Sequence, residues 1–243
     1  MPTRISKKST LEQAHSMEIE SVLSIREVDA GYGPVQVLWK TSAEWPRSVP
    51  FLRLTGPNGA GKTSLVRAIS GVLDVRHGTL RMHGVDITKK SIQERHNLGL
   101  SVVPEGRGLF TGLTVHEHLR IAIKQKQKWA EINERIDALL PHLRELRQRR
   151  IETLSGGQQQ MVAVARGIAA QPKILILDEP FSGLAPRVVA DLMLAFKQLC
   201  ESGVYVMLIE EDRNKRDETR CAWVMQRGRV TAIHDEVPAT HAN

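Results

Sequence analysis

Residues 56–63 read GPNGAGKT and fill the pattern G-x-x-x-x-G-K-[ST] at Gly56, Gly61, Lys62 and Thr63. That spacing suits the holding of a chain of phosphates. Glycines let the backbone through Pro57, Asn58, Gly59 and Ala60 curl until N–H groups converge on one anion. A helix opening near Lys62 adds the positive end of its dipole. The Lys62 ammonium then reaches the β- and γ-phosphates, the Thr63 hydroxyl binds Mg²⁺, and Ser64 adds a further donor. A plain glycine-rich turn ahead of a helix has a similar composition. The strand before it and the helix after it favour a nucleotide site.

Residues 174–180 read ILILDEP. Carboxylates at the carboxyl end of a buried parallel strand lie beside the phosphate loop in sheets of this kind. Asp178 is expected to hold Mg²⁺ through water, and Glu179 to polarise an attacking water. Alone, the two acids could equally close a strand at the surface. The phosphate loop upstream decides between the readings.

The elements that must position these groups follow from hydrophobic period. Apolar and polar residues alternate over 19–28, a strand that ends in a turn at Gly31-Tyr32-Gly33-Pro34. Residues 39–50 resist assignment, because two prolines and two tryptophans interrupt any pattern. A short apolar strand over 51–55 leads into Gly56, and 64–72 has helical spacing. A hairpin around His83-Gly84 joins 79–82 to 85–87, and 98–103 is a strand halted by Pro104. From 115 to 146 the chain is expected to be mostly helical, with Ile132, Ile136, Leu139, Leu140, Leu143 and Leu146 on one face and a break at Pro141. A helix over 158–170 precedes the fully apolar strand 174–177, which suits the centre of a parallel sheet. A helix over 188–200, a strand over 205–209 and a hairpin over 223–233 turning at Arg227-Gly228 complete the order.

The 243 residues are 41% hydrophobic and 25% charged, ordinary soluble globular chemistry with apolar surface for a good core. No apolar run reaches the roughly 18 residues of a membrane helix. The basic start has no apolar stretch after it, so no secretion signal is expected and a cytoplasmic location is. Cys200 and Cys221 lack metal-ligand spacing and read as buried or bystander thiols. The formal charge of +7 reads as surplus Lys and Arg on a solvated surface. The densest basic run, 144–150, sits beside Leu143 and Leu146 as the polar side of a helix. Aromatics at 4% are not interleaved with it, so base stacking is unsupported and nucleic acid is not an expected partner.

Residues 154–158 read LSGGQ, between the phosphate loop and ILILDEP. Ser155 and the glycines cap the helix beginning near Gln158 and leave N–H groups free at its start. In this motif and this order the sequence resembles the ATP-binding cassette (ABC) family over roughly residues 19–235. The resemblance implies an α/β P-loop NTPase core with a mostly parallel sheet, an N-terminal antiparallel β subdomain and an inserted helical subdomain at about 106–165. That nucleotide-binding domain would span 18–237, flanked by tails at 1–17 and 238–243. The resemblance also implies ATP and Mg²⁺ sandwiched between two chains facing head to tail. Ser155, Gly156, Gly157 and Gln158 would then act across the interface on the partner's γ-phosphate. Tyr32, in GYG, matches the aromatic that stacks on adenine. Glu105, in VVPEGR, stands where most cassettes have a glutamine that senses Mg²⁺ and the attacking water and links them to the transmembrane partner.

VPEGRGLF, LTVHEHL, LSGGQQQM and GLAP together resemble the second ATPase of branched-chain amino acid importers, and of the related urea and short-amide importers. A transporter ATPase is therefore expected, peripheral on the inner face of the membrane. It would pair with a sister cassette and drive a permease whose coupling helix docks near Glu105. One competing reading is a soluble cassette acting on DNA or the ribosome, but such relatives carry a long insertion or a second cassette that this compact chain lacks. Another is a weakly active regulatory subunit. Its motive is Glu211, which in YVMLIEED replaces the family's histidine, or the branch's glutamine, beside the γ-phosphate, where a carboxylate repels. The Pro-Gly-Glu turn usual before the phosphate-loop strand is missing from 39–53, and the stretch after Asp212 departs from the family's usual helix.

Overall fold

The computed structural model describes residues 21–123, 128–211 and 221–235. The expected tails at 1–17 and 238–243, and most of the stretch after Asp212, lie outside the described residues. One sheet is built from β1 (Ser21–Tyr32), β2 (Val35–Pro46), β4 (Val75–Met82) and β5 (Val85–Asp86), all antiparallel, in the order β2-β1-β4-β5. The other takes β3 (Phe51–Thr55), β6 (Leu100–Val103), β7 (Ile174–Asp178), β8 (Tyr205–Glu210), β9 (Cys221–Gln226) and β10 (Arg229–Asp235), in the order β10-β9-β3-β8-β7-β6. Only β10 runs against its neighbour there; the rest are parallel. The helices are α1 (Lys62–Ser70), α2 (Ile92–Asn97), α3 (Val115–Ala122), α4 (Trp129–Leu139), α5 (Gly156–Ala169) and α6 (Pro186–Glu201).

β7 shows why the parallel sheet reads as an unbroken apolar run. Ile174 and Ile176 join one core with Leu65, Ile69 and the antiparallel sheet, while Leu175 and Leu177 join a second core with Leu119, Ile136 and Phe196 on the opposite face. A strand covered on both sides has no polar alternate positions, since both must lose water. The carboxyl ends of β3, β7 and β8 therefore emerge at one edge from a rigid, dry platform.

The stretch 39–50 is largely β2, whose inward positions are Thr41, Ala43 and Trp45. The period of two is intact, but small and hydroxyl side chains carry it. In place of a Pro-Gly-Glu turn, the Trp45 indole N–H donates to Val49 O at 2.7 Å and closes the link to β3. β1 runs through Tyr32, so the expected four-residue turn shrinks to Gly33-Pro34. α1 begins two residues before its expected start, and α2, unforeseen, opens on a capping box between Ser91 and Glu94. The expected helical stretch 115–146 holds α3, α4 and a 3₁₀ segment, Pro141–Leu146. Leu139 is only half-buried, whereas Ile132, Ile136, Leu140, Leu143 and Leu146 are buried as expected. Cys200 is free and half-buried, and burial pushes its thiol up to about 11. No helix among the described residues is long and apolar enough to cross a membrane.

Candidate functional site

The loop between β3 and α1 is shaped by glycines that no other residue could replace. Gly56 has φ 154° and a Cβ there would stand 2.2 Å from Met225 O; Gly61 has φ 107°. Gly61 is the N-cap of α1, and no side chain caps that helix. Its first N–H groups are thus left for an anion, at the positive end of the dipole. Lys62 is buried, and its Nζ donates to Gly56 O at 2.7 Å and to Pro57 O at 3.4 Å, with the Glu179 carboxylate at 4.0 Å. The wall behind the loop comes from far along the chain. In the turn between β9 and β10, Gly228 N donates to Ala60 O at 2.8 Å, while Gly228 O accepts from Trp39 N and from the Thr41 hydroxyl.

At the end of β7 the Asp178 carboxyl is buried and accepts a hydrogen bond from the Thr63 side chain. Its Oδ1 has no hydrogen-bond partner among the described residues. Burial pushes this carboxyl above its ordinary range, the Thr63 bond opposes that, and the Glu105 charge reinforces it. Glu179 follows in left-handed backbone, φ 49°, and its N–H donates to Ile209 O at 3.0 Å. That geometry is uncommon outside glycine, and it turns the side chain back toward Lys62. Burial raises the Glu179 carboxyl, Lys62 pulls it down, and Asp178, Glu210 and Glu105 push it up.

Lys62, Thr63, Ser64, Glu105, Glu179 and Glu211 share one cavity of about 390 Å³ with the loop residues Asn58, Gly59, Ala60 and Gly61. Ser182 and Val37 also line it, and the sequence reading assigned neither to the site. A larger cavity of about 760 Å³ meets the first at Thr63 and Glu105 and is walled by Val72, Ile92, Ile121 and Arg166. Tyr32 stands outside the phosphate cavity. Its hydroxyl lies 3.4 Å from Ser64 Oγ and accepts from Arg67 Nη1 at 3.0 Å, and the Arg67 guanidinium sits 5.8 Å from its ring centre.

Residues 155–158 lie away from this cavity, at the start of α5. Ser155 Oγ accepts from Gln158 N at 3.3 Å, and the Gln158 side chain accepts from Ser155 N at 3.0 Å, a closed capping box. Gly156 faces the Arg107 guanidinium, and Gly157 faces Val188. The chain therefore presents two separate glycine-rich helix starts. One can cradle a polyphosphate beside a carboxylate suited to a divalent cation and a second carboxylate placed to polarise water. The other is exposed with no phosphate loop of its own.

Residues 49–182 match the ABC transporter family. The chain is 33% identical over 225 residues to the high-affinity branched-chain amino acid transport ATP-binding protein BraG of Pseudomonas aeruginosa, covering 91% of this chain and 96% of that protein. It is 32% identical over 211 residues to the probable branched-chain amino acid transport ATP-binding protein LivF of Archaeoglobus fulgidus, covering 84% and 88%. Among solved structures, an ATP-binding subunit of an ABC transporter superposes with a TM-score of 0.79 at 25% identity, over 89% of this chain and 90% of that one.

Proposed function

The chain belongs to the ABC transporter family, and from that premise we propose that it is the ATP-binding and ATP-hydrolysing subunit of an importer for branched-chain amino acids or related small amides. The observation that carries the reading is the convergence of Lys62, Thr63 and Glu179 on one cavity at an uncapped helix start, with Asp178 beside them. The loop 56–61 and Ser64 cradle the β- and γ-phosphates with backbone and hydroxyl donors. Lys62 exchanges the carbonyls of Gly56 and Pro57 for phosphate oxygens. Tyr32, once Arg67 yields its face, offers a stacking platform for adenine.

Mg²⁺ fits the residues present. A buried carboxylate with an orphaned oxygen, hydrogen-bonded to a threonine hydroxyl, is suited to a hard, water-carrying cation, and Glu105 stands close by. Thr63, Asp178 and Glu105 would hold it. When bound, it supplies charge neutralisation on the phosphates. Glu179 takes up the role of orienting and polarising the attacking water from the far side of the γ-phosphate. Glu211 adds a carboxylate to the same cavity and slows the step by repulsion.

The subunit works in a head-to-tail pair with a second cassette, a sister chain. Residues 155–158 of each subunit close over the nucleotide of the other, and the exposed helix start supports that reading. The unit spans 18–237, and its helical part, about 106–165, turns toward the membrane face. The larger cavity, which meets the phosphate cavity at Glu105, receives the permease. On this reading the chain works at the cytoplasmic face, peripheral to the membrane.

ATP turnover, measured with and without the second cassette and the permease, tests the proposal. Turnover should rise on assembly. Lys62→Ala should cut it by on the order of a hundredfold or more and abolish the rise in Tm that ATP gives. Turnover that survives Lys62→Ala overturns the site, and turnover indifferent to the permease overturns the importer.

A further inference from the structure

The loop after β6 brings Glu105 to the junction of the two cavities and then turns away, and its next residues are fastened to α5 at two heights. Arg107 N donates to Pro104 O at 2.8 Å, which folds the loop on itself with Arg107 at φ 60°. From there the Arg107 side chain donates from Nη1 to Gln159 Oε1 at 3.0 Å and from Nε to Gln160 Oε1 at 3.1 Å. Its third nitrogen, Nη2, lies 3.5 Å from where a Cβ on Gly156 would stand. The guanidinium thus rests against the first turn of α5, beside the exposed 155–157 tip. Farther along the same helix, Arg166 donates back to Arg107 O at 3.0 Å and to Gly108 O.

This contact does not serve the helix. A cation beside the first turn opposes the dipole of α5, and the capping box already supplies the side-chain cap of that turn. What the contact does is bind two sites together. A planar fork that engages two successive glutamines fixes orientation as well as distance, which a lysine ammonium cannot do. We infer that Arg107 is a positioning residue that locks the 155–157 tip to the Glu105 loop, so that a shift of Glu105 at this subunit's nucleotide moves the tip that closes over its partner's. The inference rests on the paired reading given above.

The test uses the full chain assembled with its sister cassette and permease. Arg107→Met should leave binding of a fluorescent ATP analogue to the isolated chain within about twofold of the parent, because it touches nothing in the phosphate cavity. In the assembly it should lower kcat on the order of tenfold with KM for ATP nearly unchanged, the size of a typical coupling between sites. Arg107→Lys should recover less than half of that loss while keeping the parent Tm. Combining Arg107→Met with Gln160→Leu should add little to the loss in Arg107→Met, since these two residues act through one another. A parent-like kcat in Arg107→Met, full recovery in Arg107→Lys, or losses that multiply in the combined variant would each overturn the clasp. An unmodified assembly without permease-dependent turnover would instead overturn the importer reading, so the two failures are distinguishable.

Discussion

The two glycine-rich helix starts of this chain solve the same electrostatic problem in opposite ways. Both α1 and α5 begin with unpaired N–H groups at the positive end of a helix. α5 closes part of its own: Ser155 and Gln158 exchange two hydrogen bonds, which leaves the N–H groups of Gly156 and Gly157 outside the box. α1 has Gly61 in left-handed backbone at its N-cap and no side-chain bond at all. A helix start that is capped by its own side chains can be carried on a surface. One that is incomplete is finished by its ligand, and binding then contributes stability directly. Glu105, Glu179 and Glu211 line the cavity at the start of α1.

The contrast can be broken at either end. Glu179→Gln removes the proposed base while leaving the cradle of α1 intact. It should lower turnover by about 10²–10⁴-fold with ATP still raising Tm; a parallel loss of that rise would mean the carboxylate also builds the cradle. Next in size is the support beneath α1. Arg53 of β3 and Glu210 of β8 form a buried ion pair at 3.4 Å under the phosphate loop. Glu210→Gln should cost about 1–3 kcal/mol in urea unfolding, because it removes the charged acceptor facing the buried Arg53 guanidinium. A loss below about 1 kcal/mol would show that the pair is solvated.

At α5 the effects are smaller. Ser155→Ala should cost about 1 kcal/mol of stability without any nucleotide, the value of a lost cap. If stability falls only when ATP and the partner cassette are present, the cap contributes nothing to the isolated chain. The smallest effect concerns His118, fully buried under the loop that leads from Glu105. Its Nε2 accepts from Phe110 N at 3.1 Å. Burial, helped by Arg166, holds its pKa below the ordinary histidine value. A depressed histidine contributes stability that is complete above about pH 6.5 and is lost as pH falls through the folded value, with a slope of at most about 1.4 kcal/mol per pH unit. Chemical denaturation between pH 7 and 5 should show that slope in the parent and a shallower one in His118→Gln.

The chemistry was legible because its residues are contiguous. GPNGAGKT, ILILDEP and LSGGQ each lie within one turn or strand end, so residue type and spacing specify them without knowledge of the fold. What stayed hidden depends on distant partners. β2 escaped notice because Thr41 and Ala43 stand at inward positions that Val or Ile usually fill, and the partner strand supplies the burial. Ser182 reaches the cavity from the loop after β7, and Val37 from a strand the sequence did not reveal. Arg107 looked like one residue of a motif, and its glutamine partners lie on a helix about fifty residues away. Tyr32 was expected to stack on adenine; it lies against Ser64 and Arg67, and the Arg67 guanidinium sits over its ring.

The Gly228 turn that backs the phosphate loop sets an order on how the protein comes into being. The Thr41 hydroxyl meets Gly228 O across 187 residues of sequence, and the Ala60 carbonyl relies on the same turn. Contacts of such high sequence separation form late. On a ribosome that releases the N-terminal side first, GPNGAGKT emerges well before the β9–β10 hairpin, yet its shape is completed only when that hairpin has folded behind it. Nascent chains would therefore ignore cellular ATP until the β9–β10 hairpin has been made and has folded.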